Sequence, residues 1–404
     1  MQGAVPGSPG ADPNRPRRTE VGERIDELQA QGDVSMTGST TAQLLAFPKN
    51  RIRAAALAPS EGPANLCASF ATARQDPQSV FWLKENAELL NILECTGTPV
   101  RGGALAPYAD YYDTVERRMS FFRPYYRFIL SICLDLEDLG HSTANKGEAL
   151  AHWVKAQGLP EGELSDLQRA EARRLLARRG VHIEQPGLDD RLRGFTEQSH
   201  HFALPNKKIG YELTHIVFYL SEYGRRDPGL SRAALRSLEY LGLVSFLDQD
   251  ADLLAEVAIA LAYAGAEVPQ VWQDWLDCQL NSFEVTEGGF AGQQDDYHTY
   301  FVGNWWQGVS RGSGFSRSLP PGATLLSKPL GDGVLRSLSG ALFEAQPQRF
   351  ADWDVAKRRL QDRLPPAQMA VLEQAEVSSK DFGAFYALFA RSDSSGSVRQ
   401  GGCP

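Results

Sequence analysis

The sequence has no Cys-x-x-Cys pair, no G-x-G-x-x-G fingerprint and no phosphate-binding P-loop. The five cysteines (Cys67, Cys95, Cys133, Cys278 and Cys403) are scattered and odd in number, which excludes a disulfide framework or a zinc ribbon. None has an evident partner base. Long apolar runs are also missing: the longest nearly uncharged one, Val257 to Ala266, is too short to cross a bilayer. The first residues, MQGAVPGSPGADPNRPRR, contain no apolar core of a secretory leader. Basic residues are the minority, 41 Lys and Arg against 50 Asp and Glu, for a formal charge of −9. A general nucleic-acid binder would carry the opposite surplus. These absences predict a cytoplasmic protein without membrane or nucleic-acid partners. They leave room for a small-molecule ligand and leave a protein partner undetermined.

What is present is helical. Residues 1–40 are rich in Gly, Pro, Ser and charge and are expected to be a disordered extension. Met36 offers a second start, so this extension reads equally as a start-site artefact. Residues 391–404 are an expected disordered tail. Between them, residues 41–390 are expected to form one helical domain. Apolar periodicity predicts helices over 78–95, 111–139 (bent at Pro124), 146–156, 165–179, 211–223, 231–246, 252–264, 269–283, 298–307, 352–364 and 366–389. The last is expected to break near Ser378. Strand signals are confined to short pieces within 320–345. The expected class is all-α, a multi-helix barrel or toroid or a compact helical array, with few or no strands.

The stretch Lys207 to Gly224, KKIGYELTHIVFYLSEYG, carries the clearest chemical signal. As a helix it places Glu212, His215, Tyr219 and Glu222 within an arc of about 80°. Leu213, Ile216, Val217 and Leu220 occupy much of the remaining surface. Ionisable groups on so apolar a helix are costly to bury unless paired or used. The same pattern recurs as Arg127, Ser131, Asp135 and Asp138 on one helix, and as Asp252, Glu256 and Tyr263 on another. Several apolar helices with thin polar stripes suit a shared polar cavity; ordinary amphipathic helices with wet stripes would read the same way.

The segment GGFAGQQDDYHTYFVGNWW, residues 288–306, is a second candidate, with Asp295 and Asp296 leading into His298 at a helix start. A first-turn carboxylate is favoured by the helix dipole alone. A histidine beside Asp among Tyr297, Tyr300, Trp305 and Trp306 suits a general base, or a satisfied structural histidine. Acid-x-x-His occurs at Glu197–His200, Glu212–His215, Asp295–His298 and Asp138–His141. Residues at i and i+3 on a helix can share one ion. A divalent metal held among Glu197, His200, Glu212, His215 and His298 is therefore an alternative, although no cofactor is required.

Two resemblances follow from these segments. FWLKENAELLNILECTG, YYRFILSICLDLEDLG, YELTHIVFYLSEYG and LLAEVAIAL are similar to an uncharacterised group of alphaproteobacterial helical proteins. More loosely, the ELTH–FY and YHT pairing resembles actinobacterial helical proteins. Neither group brings an activity with it. QLNSFEVTEGGF (279–290) resembles the Q…G-aromatic turns of α/α-toroids such as terpene cyclases and prenyltransferase β-subunits. Asp248-Gln-Asp250-Ala-Asp252 departs from the DxDD acid of class II cyclases, so that chemistry is not implied.

The leading expectation is an enzyme using Glu212, His215, Asp296 and His298, with Tyr219 and Glu222, for acid–base work on a small molecule. The others are a helical scaffold or regulatory protein-binding module, and a metal-dependent enzyme using acid-x-x-His ligands.

Overall fold

Sequence-local signals set most helix boundaries. Ser79, Ser165, Asn206, Ser231, Asp250 and Asp352 each accept a hydrogen bond from a backbone N–H in the first turn they precede. Such caps satisfy donors that a helix start would otherwise leave open. The computed structural model describes residues 62–101, 103–288, 295–345 and 350–391. Residues 1–61 and 392–404 lie outside the described residues, and with them the expected 1–40 extension and all of the expected 391–404 tail but Arg391.

The helices are α1 Gly62–Ala68, α2 Val80–Cys95, α3 Ala109–Asp113, α4 Val115–Phe121, α5 Tyr126–Asp138, α6 Lys146–Ala156, α7 Asp166–Ala177, α8 Leu188–Thr196 and α9 Ser199–Phe202. Next come α10 Lys207–Leu220, α11 Arg232–Asp248, α12 Ala251–Tyr263, α13 Gln270–Asn281 and α14 Tyr297–Arg311. α15 Leu335–Glu344, α16 Trp353–Leu360, α17 Pro366–Ser378 and α18 Phe382–Phe389 complete the series. Two short strands, β1 Glu284–Thr286 and β2 Thr324–Leu326, pair antiparallel with Val285 opposite Leu325.

The fold is an all-α, multi-helix array. Its centre is α12, where every residue from Leu253 to Leu261 is buried. A helix apolar on all sides belongs in an interior, and α12 packs against α10, α11, α13 and α14. α2 lies along α5 and also touches α14; α7 bridges α5 and α10. The barrel or toroid closure in the expectation finds no support among these contacts.

Close approach has a visible cause at one position. A Cβ at Gly242 of α11 would fall within the fully buried ring of Trp272 on α13, so only glycine allows these helices their separation. The expected single helix over 111–139, bent at Pro124, is instead the end of α3, α4 and α5, with a break at Thr114 and a tight turn over Arg123–Tyr125. Proline lacks the N–H and crowds the preceding turn, so the chain breaks there. The expected break near Ser378 is present, between α17 and α18.

Candidate metal centre

Three helices supply the site. α10 brings Tyr211, Thr214 and His215; α12 brings Asp252 and Glu256, one turn apart; α14 brings His298 and Thr299 in its first turn. β2 fixes where α14 begins. Asp296 N–H donates to Leu325 O at 2.9 Å, and Ser327 N–H donates to Asp296 Oδ2 at 2.7 Å. Asp295 accepts from Leu325 N–H at 2.8 Å and from both Nη atoms of buried Arg74 at 2.9 and 2.8 Å. The start of α14 is thereby tied to the strand and to the α1 end of the chain.

His298 Nδ1 donates to Asp252 Oδ2 at 2.7 Å. Thr299 Oγ1 donates to the same oxygen, and Tyr211 OH to Oδ1, both at 3.0 Å. Glu256, only 2% exposed, accepts from Thr214 Oγ1, and His215 Nδ1 lies 3.6 Å from its Oε2. That Nδ1 is also 2.7 Å from Tyr211 O, a contact that fixes the ring when Nδ1 carries the proton. Asp252, Glu256 and His298 each offer one ligand atom, all within 4.8 Å of one another. Among the described residues this Asp/Glu/His cluster has the donors and spacing to coordinate a metal ion.

The electrostatics follow from burial set against pairing. Burial pushes Glu256 up, opposed by His215 and His298 and reinforced by Asp252. Burial would also raise Asp252, but the His298 charge and the bonds from His298, Thr299 and Tyr211 hold it below the ordinary carboxylate range. Burial alone would lower His298. The charges of Asp252 and Glu88 outweigh it and bring the imidazole to about 10. These charges favour the imidazolium form of His298, and a metal taken by this ring would have to displace a proton.

A cleft of about 340 Å³ opens beside the cluster, lined by Asp252 and Thr299 together with Lys207, Asp250, Asp296 and Trp275. Four aspartates (Asp248, Asp250, Asp252 and Asp296) against one lysine make this wall acidic. Lys207 pairs with Asp250 at 3.1 Å.

Of the residues expected from sequence, His215 and His298 converge on the buried carboxylate of α12. Glu212 is half-buried on α10 and makes no hydrogen bond or ion pair among the described residues. Asp296 faces the cleft but spends one carboxylate oxygen on Ser327, so it is not the partner of His298. Tyr219 is buried with its ring 6.1 Å from that of His215, while Glu222 lies beyond the end of α10 near Arg174. Glu197 and His200 are exposed around the α8–α9 turn, where the His200 and His201 rings lie tilted 3.9 Å apart, and do not join the cluster. Of the acid-x-x-His residues only His298 falls in the three-residue cluster; Asp252 and Glu256 join it from α12, and the signal for Glu256 in the sequence was a carboxylate in the middle of an apolar helix.

Gly308-Val309-Ser310-Arg311-Gly312 spells G-x-S-x-G. It closes α14, where Ser310 Oγ donates to Trp306 O, so it is no strand-to-helix nucleophile elbow.

The described residues thus form an all-α array with an Asp/Glu/His cluster beside an acidic cleft. A family model described as Domain of unknown function (DUF6902) matches residues 42–392, and the chain belongs to that family. No curated protein and no solved structure matches it. Among the described residues no helix is long and apolar enough to cross a membrane.

Proposed function

We propose that this protein is a divalent-metal-dependent enzyme whose ion is held by Asp252, Glu256 and His298 and whose small polar substrate enters through the adjoining cleft. The observation that carries the reading is the convergence of three ligand atoms within 4.8 Å, one of them on a carboxylate buried in an otherwise apolar helix. One imidazole and two carboxylates suit zinc, manganese or ferrous iron better than calcium or magnesium, which favour all-oxygen sites. Three protein ligands leave coordination positions for water and substrate, the arrangement of hydrolytic and hydrating centres. His215, Thr214 and Tyr211 would orient the ligands. The reading places the enzyme in the cytoplasm and needs no closed barrel, since α12 and α14 alone supply the donors.

Elemental analysis after expression in metal-supplemented medium, with calorimetric titration of zinc and manganese into chelator-treated protein, tests it. Near-stoichiometric binding, weakened at least about tenfold in Glu256→Gln and His298→Ala, is expected. Protein that takes up neither ion removes the reading.

The 2.7 Å His298–Asp252 ion pair supports a second, metal-free reading, in which the imidazolium serves as a general acid toward a substrate in the cleft. Absence of metal binding, together with loss of a ligand's affinity in His298→Gln, would favour it.

A further inference from the structure

A second set of buried ionisable groups lies outside the metal cluster, where α5 and α7 meet the end of α10. Arg174 of α7 is 5% exposed, and its guanidinium sits 4.2 Å above the ring of Tyr223. Among the described residues its Nε and Nη2 make no hydrogen bond. The Glu222 carboxylate stands 3.6 Å from Nε, near enough for attraction and too far for a bond.

The surrounding arginines are different. Arg127 is bonded to Glu163 and Glu171, and Arg178 is paired with Asp135 at 2.7 Å and with Asp138. Arg225 is bonded to Glu94. Arg127, Arg178 (through Nη2) and Arg225 each donate at least one hydrogen bond to a carboxylate, although Arg178 Nη1 makes none; among the described residues Arg174, the most buried of the group, donates none through Nε or Nη2.

Nε–H and Nη2–H form one edge of the guanidinium, the fork that takes both oxygens of a carboxylate or two of a phosphate. Leaving it open in the interior is unfavourable. Stacking on Tyr223 orients the fork without filling it. The backbone that sets this ring is itself strained: Glu222, Tyr223 and Gly224 have φ of +50°, +54° and +82°. Left-handed conformations are disfavoured for the first two residue types.

We propose that Arg174, seated on Tyr223, is an oxyanion-binding residue that grips the carboxylate of a small ligand through Nε and Nη2. Glu222, and Glu171 one turn before Arg174, place negative charge nearby. They favour a singly charged carboxylate over a doubly charged phosphate. The neighbouring rings of Tyr219 and Tyr223 suit a ligand with an apolar or aromatic body.

The proposal stands apart from the metal reading, and its test uses chelator-treated, full-length protein with no activity readout. Benzoate and inorganic phosphate are titrated in separate arms at fixed ionic strength while arginine Nε–H signals are followed by ¹⁵N NMR. Benzoate is expected to shift one such signal saturably, the one absent from Arg174→Lys, and to bind more tightly than phosphate. Arg174→Lys, which keeps the charge and loses the fork, is expected to weaken benzoate roughly tenfold or more. Glu222→Gln, at a partly exposed position, is expected to tighten it, which guards against misfolding of the lysine variant. Saturation by neither anion, tighter binding of phosphate, or benzoate affinity unchanged in both variants overturns the proposal.

Discussion

His298 and Asp252 are 46 positions apart in the chain and 2.7 Å apart in the fold. The histidine reaches across to α12 although Asp296 stands only two residues before it. This bond gives α14 and α12 a shared polar contact inside an otherwise apolar packing, and it places Nδ1 of the imidazole on a carboxylate.

Glu256→Gln is expected to separate binding from stability. Burial raises the Glu256 pKa in the folded protein, so holding this carboxylate in its ionised form costs stability. The amide has nearly the same shape without that cost. Metal affinity should fall by roughly tenfold or more, while the melting temperature holds or rises. Calorimetry of both proteins checks the pair of outcomes, and a large drop in melting temperature would mark Glu256 as a structural hydrogen-bonding group.

His215 touches the Glu256 carboxylate edge without belonging to the three-atom cluster. His215→Ala should leave the chain folded and weaken zinc about 10–100-fold, the range for residues that support a ligand. Circular dichroism and metal titration of the same sample distinguish this from loss of a core residue.

Zinc or manganese should stabilise the chelator-treated protein against unfolding. At free metal about 100 times the dissociation constant the gain is roughly 2.7 kcal/mol, provided the unfolded chain does not bind. Thermal melts across a metal series should show a midpoint that climbs with concentration in wild type and stays flat in His298→Ala.

Acid should weaken the α5–α7 contact through Asp138. Burial would raise this carboxyl, but hydrogen bonds from Arg178 and Arg179 hold it below the ordinary range. A depressed folded pKa stabilises above the unfolded value, about 3.9, and that contribution is lost as pH falls through the lower folded value. The stability difference between wild type and Asp138→Asn should therefore be greatest near neutral pH and vanish in strong acid. Denaturant unfolding from about pH 2 to pH 7 measures it.

Gly242→Ala tests the approach of α11 to α13. The added methyl meets the Trp272 ring, and overpacking of this kind costs about 1–3 kcal/mol. Combining it with Trp272→Phe should recover part of the loss, because the two changes share one contact.

Most of the helices were legible because each reads from its own periodicity and caps; the observed Lys146–Ala156 has the expected bounds, and Val80–Cys95 and Arg232–Asp248 differ from expectation by no more than two residues at either end. Leu188–Thr196 was missed because its apolar face is short and charged residues crowd it. β1 was missed because its pairing with β2 comes from a segment about 40 residues away. The site was half legible. Periodicity found the His215 face and the helix start at His298, but it cannot say which helix a face meets. Asp252 and Glu256 were noticed only as one stripe among several. Their partnership with His298 exists only once α12 lies between α10 and α14.

α12 is enclosed along its buried length, and Asp252 and Glu256 are both rooted on it. A rod held on every side can neither slide nor roll, so the two backbone positions that carry the carboxylates keep a constant spacing. If the cluster holds the proposed ion, adjustment to a larger or smaller radius would fall to side-chain rotation and to the His298 side of the jaw. On that reading, altering the small side chains Ala255, Ala258 or Ala260 that seat the rod should shift the preference among cations from a distance.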